Sequence, residues 1–329
     1  MALRIAVVGL GVGKTHAELL RETPGAQLVA VCDVDQAKAA EQAEKHGVEA
    51  YTSYDALLEG ERLDAVSLCT PPRLHAPMAE QAAARGLHVL CEKPMAPSVA
   101  DCQRMIDACQ KAGVTLMIAL KKRFAPHYLT IKRLCERTEA PLWACARFAL
   151  GRVTHDWFWD EEDGGGPLLE NSVHMVDVLR FLMGDVVRVN AEGGTLFMAE
   201  RAPVPDAAAA TLRFASGGVA VLGIGYGCEW PMAREEVLLA TPRMVFELQG
   251  GFDRADQLRY CYRENPGEVT TEQAEAPYRG GFPEEMEHFV HCATTGARPR
   301  ADGVAGREAV RICLAVKESI RTGAPVELG

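Results

Sequence analysis

The chain has 329 residues, 48% of them hydrophobic and 24% charged, with a formal net charge of −10. That is enough for about two domains, and the acidic balance excludes nucleic acid or an anionic membrane as the main partner. No run approaches the roughly eighteen apolar residues of a membrane span, and Met1-Ala2-Leu3-Arg4 enters the first predicted strand without an export segment, so the expected compartment is the cytoplasm. The eleven cysteines form no close C-x-x-C pair and read as reduced, mostly buried thiols.

Leu3 to Val8 is an apolar run suited to a central parallel strand. It feeds Gly9-Leu10-Gly11-Val12-Gly13-Lys14 and then a helix to about Arg21. Gly9 suits the tight turn, and Gly11 lets backbone approach a pyrophosphate at the start of the helix. Gly13-Lys14-Thr15 invites a P-loop reading, which fails because that motif needs glycine where Val8 stands. The alternative is a dinucleotide loop one residue short, with Gly13 packing the helix. A second strand from Gln27 ends at Asp33, 24 residues after Gly9. A carboxylate there binds adenosine ribose hydroxyls and repels a 2′-phosphate, favouring NAD over NADP.

The βαβ alternation continues through a helix (36–45), strands near 49–52 and 65–69, and Thr70-Pro71-Pro72, which holds its loop over the sheet's carboxyl edge. A helix from His75 leads to the strand Leu87 to Cys91, closed by Glu92-Lys93-Pro94. Ser98 caps a helix that Gly113 stops, and Thr115 to Ala119 is a sixth strand. Cys69 and Cys91 stand at strand ends, where small apolar fillers are commoner than catalytic thiols.

Beyond a helix from Pro126 to Arg137 the period changes. Strands at 142–150, 186–197, 208–214, 219–226, 235–239 and 244–248 follow with no regular crossover helices, and Ser216-Gly217-Gly218 makes a hairpin. This predicts a doubly wound parallel α/β domain over 1–122 and an α+β domain over 123–329 on an open, mainly antiparallel sheet. Such a sheet needs covering, so a homodimer or homotetramer is expected. Inside the second domain, Gly164-Gly165-Gly166-Pro167 opens a helix over 168–182 that carries Glu170, His174 and Asp177 on one face. A surface ion cluster is the plainer reading of those three. Two helices, 284–294 and 306–322, close the chain.

Together Gly9 to Gly13, Asp33, Thr70-Pro71-Pro72 with His75, Glu92-Lys93-Pro94, Arg123-Phe124 and the segment from Gly164 to Asp177 resemble the Gfo/Idh/MocA oxidoreductases over nearly the whole chain. The resemblance implies an NAD(P)-dependent enzyme acting on sugars, polyols or related carbonyl compounds, without a metal. Lys93 and His174 then share the proton chemistry, with a cation steadying developing alkoxide, and Glu170, where the best-known members carry aspartate, either touches substrate or orients the imidazole. His16 and His75 fall near the cofactor by resemblance, although a helix histidine and a loop histidine are more often structural. Arg123 either meets cofactor or substrate or braces the domain junction, and Trp157 and Trp159 either stack on a sugar or fill the core. Two rival functions stay open: a glycosidase that recycles bound NAD, and a non-catalytic nucleotide-binding regulator.

Overall fold

The computed structural model describes every residue except 1, 152, 154, 162, 228–233, 252–255 and 275–278, with the side chain of residue 150 also left out. Cys228 lies outside the described residues. The chain packs into two compact units, 1–120 with 282–308 and 121–281 with 309–329. Among the described residues no helix is long and apolar enough to cross a membrane.

In the first unit β1 (Leu3–Val8), α1 (Gly13–Glu22), β2 (Ala26–Cys32), α2 (Gln36–His46), β3 (Glu49–Tyr51), α3 (Tyr54–Gly60), β4 (Ala65–Leu68), α4 (His75–Ala84), β5 (His88–Cys91), α5 (Val99–Ala112) and β6 (Leu116–Ile118) follow in chain order. The strands form one parallel sheet in the order β3-β2-β1-β4-β5-β6. β1, β4 and β5 are almost wholly buried, as expected of strands covered on both faces. The order reverses between β1 and β4, and such a switch point opens a crevice at the carboxyl ends of the strands. Local signals set several ends. Ser98 accepts the Asp101 N–H at the start of α5, and Gly113 ends it in the left-handed region.

The second unit opens with α6 (Pro126–Arg137), whose proline stands at a position with no intrahelical N–H to lose. Then come β7 (Trp143–Leu150), α7 (Asp156–Trp159), α8 (Pro167–Glu170), α9 (Ser172–Met183), β8 (Val186–Gly194), β9 (Ala207–Phe214), β10 (Val219–Tyr226), β11 (Arg234–Ala240), β12 (Met244–Gly251), β13 (Gln257–Tyr262) and β14 (Thr270–Gln273). With β15 (Val326–Glu327) they make a nine-stranded sheet ordered β14-β13-β12-β11-β7-β10-β9-β8-β15. Every pairing in it is antiparallel except β7 with β10. Burial alternates along β12 and along β9 from Ala208 onward, so one face is core and the other is not.

Two expectations change here. The segment after the last long strands, α10 (Phe282–Thr295) and the start of α11 (Gly303–Thr322), belongs to the first unit and not to a second domain running unbroken from 123. Ile118 donates its N–H to the Ala301 carbonyl at 2.8 Å, and Gly303 sits against Ile106 and Leu116. A helical pattern carries no mark of which sheet it covers, so the change of period at 123 does not reveal this return. The helix expected over 168–182 is instead α8 and α9, parted at Asn171.

Candidate functional site

The first unit builds its site at the turn after β1. Gly9 has φ +88°, and a Cβ on it would lie 2.5 Å from the Cys69 carbonyl oxygen. Gly13 is less tightly pressed, since its Cβ would stand 3.0 Å from the Val7 side chain and 3.2 Å from that of Cys69. Gly11 between them is exposed, with nothing within 4 Å of a built Cβ. Two glycines therefore seat the turn against Cys69, the residue after β4, and the third leaves the backbone bare. Exposed Val12 precedes α1 without any side-chain cap on the first N–H groups, so donors and the positive helix end are available to an anion.

Asp33, half-buried at the end of β2, accepts the Leu10 N–H at 2.7 Å and the Asp35 N–H at 2.9 Å. Its carboxylate is thus tied to the glycine turn while retaining lone pairs for hydroxyl donors. Thr70, Pro71 and Pro72 follow β4, and Glu92 and Lys93 follow the adjacent strand β5. His75 joins these two loops. Fully buried, it turns Nε2 to the Thr70 carbonyl at 2.8 Å and Nδ1 to those of Pro94 and Met95 at 3.1 and 3.2 Å. Burial lowers its pKa, the carbonyls opposing in part. His75 is a clamp. Burial pushes the Cys91 thiol well above its ordinary pKa, which leaves it a packed filler and no ready thiolate.

The second unit holds the other candidates. Gly164 approaches the Phe158 backbone, Gly165 and Gly166 have φ of +71° and +72°, and Lys317 reaches the Gly165 carbonyl at 3.4 Å. The turn delivers half-buried Glu170 at the end of α8 and buried His174 in the first turn of α9. Ser172 donates to the Pro167 carbonyl at 2.8 Å and fastens the start of α9 to the start of α8. Tyr226, which sequence reasoning leaves as a strand end, is fully buried here; burial and then the charge on Glu170 push its phenol well above its ordinary pKa.

Asp177 is committed elsewhere. Its carboxylate takes a forked pair of bonds from Arg123, Nε at 2.8 Å and Nη2 at 2.7 Å, and the guanidinium lies 5.1 Å from the Phe181 ring. Arg123 is buried, and its guanidinium holds Asp177 of α9. Trp159 is core, donating to the Val153 carbonyl at 2.8 Å, whereas Trp157 is 41% exposed. No group of three or more metal-ligating side chains occurs among the described residues.

Residues 3–120 match a family model described as an oxidoreductase family with an NAD-binding Rossmann fold, and 138–243 match the GFO/IDH/MocA C-terminal domain. The chain is 30% identical over 344 residues to a myo-inositol 2-dehydrogenase of Thermotoga maritima, covering 99% of this chain and 98% of that protein. It is 32% identical to a D-xylose 1-dehydrogenase (NADP(+)) of Haloferax volcanii, covering 92% of each. A crystal structure of an aldose-aldose oxidoreductase from Caulobacter crescentus, complexed with glycerol, superimposes with a TM-score of 0.88 at 27% identity over the whole of both chains.

The glycine turn makes a paired prediction. Gly9→Ala meets both a strained φ and the Cys69 carbonyl and loses about 2 kcal/mol or more of stability in urea unfolding. Gly11→Ala keeps the wild-type midpoint and instead weakens NAD+ binding in calorimetry.

Proposed function

The chain belongs to the GFO/IDH/MocA oxidoreductase family, and from that premise we propose an NAD-dependent oxidoreductase that interconverts a secondary alcohol and a carbonyl on a polyol, sugar or sugar derivative. The observation that carries the reading is the glycine turn: Gly9 and Gly13 are closed by Cys69, and Gly11 lies bare before an uncapped helix start. Those residues fit a dinucleotide. Gly9, Gly11, Val12 and Gly13 with the first N–H groups of α1 receive its pyrophosphate, and Asp33 its adenosine ribose. Thr70, Pro71, Pro72, Glu92 and Lys93 border it, with His75 holding their loops. When bound, the dinucleotide supplies the acceptor or donor of hydride.

Lys93 presents a cation that stabilises developing alkoxide on the substrate. His174 takes the hydroxyl proton during oxidation and returns it during reduction. Glu170 holds the orientation of the imidazole or meets the substrate beside it. Trp157 offers an exposed indole on which a sugar ring can stack. Arg123 acts through Asp177 and carries no reacting atom.

NAD is favoured over NADP because Asp33 stands where a 2′-phosphate would bring negative charge. The nearby lysines do not reverse this, since Lys14 pairs with Glu41 and Lys38 with Asp35, each at 3.7 Å. A metal has no part in this mechanism. The open face of the nine-stranded sheet supports a homodimer or homotetramer. Val221, Cys145 and Leu238 lie in register across β10, β7 and β11, and Trp143 adjoins on β7. All four are exposed, and the Arg147–Glu236 and Arg259–Glu247 ion pairs stand beside them. An apolar strip with a charged rim is the composition of an interface core.

Three measurements test these statements. Offered NAD+ and a panel of polyols, sugars and glycosides, the protein raises reduced-nicotinamide absorbance with a polyol or sugar, and His174→Ala lowers kcat/KM by about 10²- to 10⁴-fold. Cleavage of a glycoside without net reduction, or silence across the panel, overturns the dehydrogenase reading. Asp33→Ser removes charge-assisted hydrogen bonds and shifts the kcat/KM ratio toward NADP by roughly 10- to 100-fold. Light scattering after size exclusion gives a dimer or tetramer mass, and Leu238→Glu reduces it to the monomer.

A further inference from the structure

Near the glycine turn the first unit buries a line of polar side chains that runs from α1 through β4 to the loop after β5. His16, on α1, has no exposed surface. Its Nδ1 lies 2.8 Å from the Ser67 hydroxyl on β4, and its Nε2 lies 3.0 Å from Glu92 Oε1, just past β5. Glu92 is itself 5% exposed, and its other oxygen, Oε2, accepts the backbone N–H of Lys93 at 2.9 Å. The Cys69 sulfur stands 3.6 Å from the Ser67 hydroxyl, and the Phe282 ring meets the imidazole edge-on at 6.0 Å. The line therefore ties α1, β4 and β5 together and ends on the peptide nitrogen of the residue assigned to the chemistry.

A carboxylate this deeply buried keeps its charge only beside donors and an opposite charge. His16 Nε2–H supplies one donor to Glu92 and the Lys93 peptide another. Ser67 is suited to the far side of the ring, because a hydroxyl can accept from Nδ1–H or donate to bare Nδ1. Burial alone lowers the imidazole pKa, but Cys69 and Glu92, the titratable groups facing it, raise it well above the ordinary value. His16 therefore holds its proton to higher pH than a free imidazole does, beside the Glu92 carboxylate. A histidine serving only to fill the core would have no reason to hold a carboxylate whose second oxygen grips the neighbouring peptide.

We infer that His16 is a positioning residue for the reaction: through Glu92 it fixes the peptide of Lys93, and with it the stance of the Lys93 ammonium, while touching neither cofactor nor substrate. This rests on the assignment of Lys93 above. It adds to that assignment a buried support on α1, the same helix whose start receives the pyrophosphate.

The test uses the full chain carrying His16→Gln, which keeps a hydrogen-bond donor but removes the charge. Without cofactor, competitive labelling by acetic anhydride read by mass spectrometry gives the reactivity of each lysine. With NAD+ and the compound that turns over in the panel, steady-state kinetics from pH 6 to 10 separate kcat from KM. The expected result is a change of at least threefold in Lys93 labelling with Lys14 and Lys38 unmoved. Alongside it, kcat falls at least tenfold with a shifted pH profile, and the NAD+ dissociation constant stays within threefold. Glu92→Gln reproduces the changes in kcat and in Lys93 labelling, and the double variant is no worse in either than the single ones. Smaller changes in kcat or Lys93 labelling overturn the inference, as do changes shared by all the lysines together with weakened NAD+ binding, which mark a structural role alone. If His16→Gln does not fold by circular dichroism, Glu92→Gln carries the same expectations and the same refutation. Lys93→Ala separates the two levels: full activity there refutes the role of Lys93, whereas its loss beside an unaffected His16→Gln refutes only the support.

Discussion

Between the carboxyl ends of β1 and β4 the backbone runs too close to admit a side chain, and the nucleotide half of this protein depends on that approach. Gly9 and Gly13 are both held against Cys69. A Cβ at either would push the two strands' continuations apart and tilt the start of α1. The approach also sets what lies nearby, because β5 pairs with β4 in register and brings Glu92 and Lys93 to the same edge. His75 then clamps the two following loops to each other through three carbonyls. The bare backbone at Gly11 is the one place along this turn left open, so binding capacity and tight packing come from the same six residues.

The second unit rests on buried charge. Lys121, Lys122 and Arg123 are consecutive and all buried. Lys122 pairs with Glu235 on β11, where Tyr128 of α6 also donates at 2.6 Å, and Arg123 pairs with Asp177 on α9. Removing one partner from such a pair costs about 3–5 kcal/mol, because the remaining charge stays buried, even where the intact pair adds little net stability. The arrangement therefore specifies more than it stabilises: it sets which faces of α9 and β11 turn toward the segment at 121–123. With Asp177 fixed in this way, the first turn of α9 has a defined rotation, and His174 is carried into place by it.

Elements with strong local signals were legible residue by residue. The helix Pro126–Arg137 has the bounds its proline and pattern announce, and the caps at Ser98 and Gly113 are where expected. The polar strands β13 and β14 carry no such signal, since burial along Thr270–Gln273 does not alternate cleanly and only pairing to a neighbour makes it a strand. Glu170, His174 and Asp177 read from the sequence as one helical face, but that was the wrong geometry. Asn171 parts the two helices, and Asp177 answers to a cation 54 residues away in the chain. His16 shows the same limit. Its spacing after the glycines marks it, yet nothing local tells that Ser67 and Glu92 will close around it.

Sequence alone determined the class of both halves, the glycine turn with its acidic partner Asp33, and the residue types gathered at the strand ends. These are set by backbone sterics, period and capping, which act over a few residues. Tertiary structure alone decided that residues 282–308 return to the first unit, that Arg123 belongs to Asp177, that Trp159 is core while Trp157 is exposed, and that His16 meets Glu92. Each of these depends on which distant charge or surface a side chain meets once buried. A buried ion pair or a covered sheet face is chosen by the whole packed chain, and no window of sequence contains both partners.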